Sequence, residues 1–66
     1  MVKIHFVDGN NQLIFTSEVH PWGIIFPRHN EFFIYSRKNY MVIAEPVMTY
    51  NLKGDLESIK LIAIRA

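Results

Sequence analysis

From Val2 to Val7, apolar Val2, Ile4 and Phe6 alternate with Lys3 and His5. A period of two predicts a half-buried strand. Asp8-Gly9-Asn10-Asn11 is a turn signal, and Leu13 to Val19 resumes an apolar, β-prone run. Two such runs joined by a short glycine-containing loop read as a β-hairpin. Setting Phe6 opposite Phe15 brings Lys3 opposite Glu18, Val2 opposite Val19, His5 near Thr16 and His20 near Met1. Opposite-charge and apolar cross-strand pairs each contribute roughly 0.2–1 kcal/mol, which favours this register. It also sets Val7 beside Ile14 on the outward face, so we expect that face to be covered.

His20-Pro21-Trp22-Gly23 fits a type I turn, because proline presets φ at the second position and glycine suits the fourth. Ile24-Ile25-Phe26 reads as a short strand, Pro27-Arg28-His29-Asn30 as a second turn and Glu31 to Tyr35 as a fourth strand. Ser36-Arg37-Lys38-Asn39 reverses the chain again. Tyr40 to Tyr50 is long for one strand and contains Pro46, which cannot donate to a sheet ladder and belongs at an edge or bulge. A strand interrupted there can bend and serve two sheets. Asn51-Leu52-Lys53-Gly54-Asp55 is the next loop. In Leu56 to Ala66, Asp55 and Ser58 could open a helix with Leu56, Ile59, Ala63 and Ala66 near one face. Against it, Ile59, Leu61 and Ala63 alternate with Ser58, Lys60 and Ile62, and three isoleucines favour a strand. We take the strand.

Five or six short antiparallel strands joined by tight turns predict an all-β domain spanning residues 1–66. A small, partly open barrel of SH3-like or OB-like type would hide its sheet edges. A twisted meander paired with a second copy is the alternative. Apolar residues fall on both faces of several segments: Phe32 beside Phe33, Ile24 beside Ile25, Ile62 with Ile64. One small sheet does not bury both faces alone. We therefore expect a homodimer or a higher homo-oligomer.

Composition narrows the setting. The chain has 66 residues, net charge +1 and no cysteine. A chain this short buries only about 60% of its unfolded surface, so its stability leans on outside help. Without cysteine, disulfides and thiolate metal sites are excluded, which fits a reducing compartment. The longest apolar runs, such as Tyr40 to Ala44, fall far short of the roughly 20 residues of a membrane span. No basic segment followed by an apolar stretch opens the chain, so no secretory leader is expected. We expect a cytoplasmic protein without membrane contact.

Candidate chemistry is sparse. The histidines His5, His20 and His29 lack helical metal-site spacing, and the best pair for a metal would be His20 with His29. The carboxylates are scattered among turns and outward strand positions, with no pocket to separate their pKa values. Ser17, Ser36 and Ser58 carry no nucleophile motif, and the three glycines are used by turns. We expect no enzyme, no cofactor and no metal. Trp22 sits at the third turn position, where it either folds over Phe26 or stands exposed. Tryptophan and arginine dominate interface hot spots, so Trp22, Ile24, Arg28, Phe32 and Phe33 are the candidate contacts to a partner protein. The alternative is single-stranded nucleic acid, held by base stacking and cations at Tyr35, Arg37, Lys38 and Tyr40.

Overall fold

The alternating run at the start forms β1 (Val2–Val7), paired with β2 (Leu13–Val19), in a computed structural model that describes every residue from Met1 to Ala66. Val2 faces Val19, Lys3 faces Glu18, His5 faces Thr16 and Phe6 faces Phe15, as expected. Beyond Phe6 the register shifts, so Val7 lies opposite Leu13 and not Ile14. The loop explains the correction. Asp8 N–H donates to the Gln12 carbonyl at 2.9 Å and Asn11, at φ 64°, donates to the Asp8 carbonyl at 3.0 Å. That closure alone would put Phe6 opposite Ile14 and turn Phe15 outward, because a one-residue slip flips every side chain. Ile14 is the extra residue that restores Phe15 to the inner face.

The expected strand at Ile24–Phe26 does not form. Residues 24–31 are irregular, with Ile24 and Phe26 packed on the core and Ile25 left 88% exposed. Proline brackets this segment at positions 21 and 27. The segment also connects the two opposite edges of the sheet, so it crosses the open side of the curl and has no strand to pair with. The preceding turn does form, as a single 3₁₀ turn at Pro21–Gly23 closed by Gly23 N–H on the His20 carbonyl. The second turn falls one residue late, at Arg28–Glu31, where Asn30 adopts φ 72°.

Next come β3 (Phe32–Tyr35), β4 (Lys38–Val42), β5 (Val47–Tyr50) and β6 (Leu56–Arg65). The last segment is therefore a strand. Strands β4 and β5 lie end to end along β6: Val42 faces Ala63 and Val47 faces Lys60. Five steps on one side match three on the other, so the stretch around Pro46 holds two extra residues, the bend that proline predicts. The β5–β6 loop repeats the first one. Asn51 replaces Asp8, its Oδ1 accepts from Lys53 and Asp55 N–H as the Asp8 Oδ1 accepts from Asn10 and Gln12, and Gly54 at φ 86° replaces Asn11.

The strand order is β2-β1-β6-β4-β3, with β5 also on β6. β1 and β6 run parallel while every other pair is antiparallel, so the sheet is mixed and not wholly antiparallel as expected. Residue alternation carries the face of a strand but not its direction. The long crossover that parallel pairing requires is supplied here by all the intervening chain. The result is an all-β, single-domain, strongly curled half-barrel with no α-helix. Its concave side holds Val2, Ile4, Phe6, Ile59 and Leu61. Every buried residue is apolar, and there are eight in all, a thin core for this length.

Candidate functional site

No backbone ladder joins β2 to β3, the two edges of the curl. Aromatic rings close that gap. Phe15 on β2 lies between Phe6 at 4.2 Å and Tyr35 of β3 at 4.0 Å, with all three rings nearly parallel. Phe33 tilts against Phe6 and Phe15 and stacks on Tyr40 at 5.2 Å. Stacked and tilted pairs of this kind add about 0.5–1.5 kcal/mol beyond the area they bury. Tyr35 ends the stack with one ring face uncovered by another ring.

Around that end the fold gathers cations. Tyr35 lies opposite Lys38 and Tyr40 opposite Arg65, so all four share the concave face, and the Arg65 guanidinium lies 5.9 Å from the Tyr40 ring centre. Arg37 occupies the intervening turn, with φ 64°. Three of the four candidate nucleic-acid contacts thus meet, together with Arg65, which the sequence reading missed because register, not spacing, makes it a neighbour of Tyr40. The single contact within 4 Å between a carboxylate and a basic side chain is His29 Nδ1 with Glu45 Oε1 at 3.2 Å. No lysine or arginine is held by a carboxylate.

The convex face is different. Phe32 faces Met41 and Met41 faces Ile64, which makes an apolar row across β3, β4 and β6. Phe32 is 65% exposed and Ile34 73%. The backbone of β3 is free along the same edge. The Glu31 carbonyl accepts from Val42 N–H, and the two-residue turn closes Tyr35 against Lys38. Main-chain groups of Phe33 and Tyr35 therefore face β4, and by alternation those of Phe32 and Ile34 point away from the sheet.

The five candidate protein contacts separate. Trp22 is 89% exposed, its ring 5.7 Å from that of His20, and does not fold over Phe26. Arg28 covers Phe26 instead, at 4.6 Å. Ile24 is half-buried against the core, Phe33 points into the aromatic cluster, and Phe32 alone of the last two lies on the convex face. An open recess beside β3 is lined by Ile25, Phe26, Pro27, Asn30, Glu31, Phe32 and Phe33. His20 and His29 do not share a ligand cluster, and no three metal-ligating side chains converge anywhere.

No protein-family model, curated protein or solved structure matches the chain.

Proposed function

We propose that the protein is a small, non-enzymatic interaction module that self-associates as a homodimer or higher homo-oligomer and binds a partner protein. The carrying observation is the apolar row on the convex face, in which exposed Phe32 and Ile64 flank half-buried Met41. Total accessible surface supports the reading. The chain exposes 4797 Å², whereas a folded monomer of 7.8 kDa exposes about 4,400 Å². A cytoplasmic setting fits the lack of cysteine.

Sedimentation over a hundredfold concentration range tests this. The expected result is a dimer that tolerates salt and is lost in Phe32→Asp. A monomer at every concentration overturns self-association. Phe33 is unsuitable for the test, since aspartate there would enter the core.

A second reading is single-stranded nucleic acid on an OB-like or SH3-like platform. Its support is the convergence of Tyr35, Lys38, Tyr40 and Arg65 at the open end of a ring stack, where a base could continue the pile and cations could meet phosphate. Such binding would weaken steeply with salt, because phosphate contacts release counterions. It would fall further in Arg37→Ala with Lys38→Ala.

A further inference from the structure

Resting on the self-association reading, we infer that β3 pairs edge to edge with β3 of a second copy, antiparallel and centred on Phe33. The free main-chain groups of this strand belong to Phe32 and Ile34, one residue either side of Phe33. A twofold axis at Phe33 sets Phe32 opposite the second copy's Ile34 and Ile34 opposite its Phe32. Both pairs are then hydrogen-bonded pairs, which satisfies the outward N–H and C=O groups of the two residues on each chain. The same operation lays Phe32 against Ile34 on the convex face, twice, and extends the apolar row into the neighbouring copy. A closed twofold contact needs such a self-complementary patch.

A second copy fits better than an unrelated strand for two reasons. The strand Phe32-Phe33-Ile34-Tyr35 carries no charge and no proline, the devices that keep edges apart. In addition, the pairing places Glu31 of the second copy opposite Tyr35, on the side that carries the unpaired Arg37 and Lys38, so opposite charges approach. The pairing uses an edge of only four residues, so the dimer depends on concentration.

Cross-linking reads the register directly. The chain has no cysteine, so Phe32→Cys and Ile34→Cys each introduce one thiol at an exposed position. In the inferred pairing, residue 32 of one copy and residue 34 of the other have α-carbons about 5.5 Å apart, which a disulfide spans. Identical positions lie about 8 Å apart, from the strand rise and spacing, which it does not span. Mild oxidation of the mixed variants should therefore give a disulfide dimer at least tenfold more abundant than either variant gives alone. Ile34→Pro, which removes an outward N–H and leaves the β3–β4 ladder intact, should raise the dissociation constant at least tenfold, with circular dichroism confirming the fold. A wild-type dimer whose mixed variants give no excess disulfide overturns the β3 register and leaves self-association standing. A wild-type chain that is monomeric throughout overturns both.

Discussion

β2 and β3 are the two edges of one sheet, yet they meet solvent differently. On the convex face β2 presents Thr16 and Glu18, opposite His5 and Lys3, with one exposed apolar residue, Leu13, at its loop end opposite Val7; His5 Nδ1 lies 3.2 Å from Thr16 Oγ1. β3 presents Phe32 and Ile34 there, with nothing polar between them. Folding does not demand the difference, since both strands contribute a ring to the concave cluster and either outer face could be polar. Charged and polar side chains blunt an edge against unwanted pairing, while bare apolar ones leave it open to a partner. The contrast agrees with the proposal that β3 is the pairing edge.

The largest expected effect lies where the two edges share a foundation. Leu61 is fully buried, paired with Phe6 on β1, and sits on the strand that connects both halves of the sheet. Leu61→Ala should cost about 2–5 kcal/mol, a large share of what a domain this small has. Urea unfolding would show it, and both hairpins should lose amide protection together. If β1–β2 survives while β3–β4 melts, the edges belong to separate folding units. Phe15→Ala comes next, at about 2 kcal/mol, because the residue is half-buried and its ring is the link between Phe6 and Tyr35. Thermal unfolding would measure it.

Association should separate the edges without touching stability. Ile34→Lys puts a charge on the open edge and should weaken dimerisation at least tenfold, or about 1.4 kcal/mol. Thr16→Lys, the matching change on β2, should leave the dimer unaltered. Both positions are exposed, so folding stability should shift by no more than about 0.5 kcal/mol in either variant. Sedimentation of the two variants side by side decides the comparison. Equal weakening would mean that the edges are equivalent and that the polarity of β2 has no bearing on partner choice.

Much of this was legible in the residue pattern. The pairing of Val2 with Val19 and Phe6 with Phe15 follows from alternation, and the bend near Pro46 follows from a missing N–H. The bulge at Ile14 was not legible, because it corrects a loop closure set by the left-handed Asn11. Nor was the parallel β1–β6 pair, since chain direction leaves no mark on side-chain order. Ile24–Phe26 looks like a strand because apolar runs resemble one another, yet a strand also needs a neighbour, and none is adjacent there. For the candidate site, the sequence could name the exposed Trp22 and could place Phe32 and Phe33 on opposite faces, but not say which of the two points inward. Arg65 joined Tyr40 only through register, which residue spacing does not encode.

The smallest effect tests whether the open edge is held in place by its own hairpin. Ser36 and Arg37 both have positive φ, at 52° and 64°, in the two-residue turn between β3 and β4. Such a turn matches the natural twist of a hairpin but suits asparagine followed by glycine, whose backbones adopt this region at little cost. A side chain at Arg37 crowds the carbonyl that follows it, at about 1–2 kcal/mol for an ordinary residue. Glycine also has more freedom to lose on folding, which takes back part of that gain. Ser36→Asn with Arg37→Gly should therefore raise stability by about 1 kcal/mol. If β3 is the pairing edge, a firmer hairpin should also tighten the dimer slightly, because less ordering remains to be done on association. On the nucleic-acid reading, losing Arg37 would weaken oligonucleotide binding in the same variant. Tighter self-association with weaker oligonucleotide binding would keep the two readings apart, and a loosened dimer in a stabilised hairpin would remove β3 from the interface.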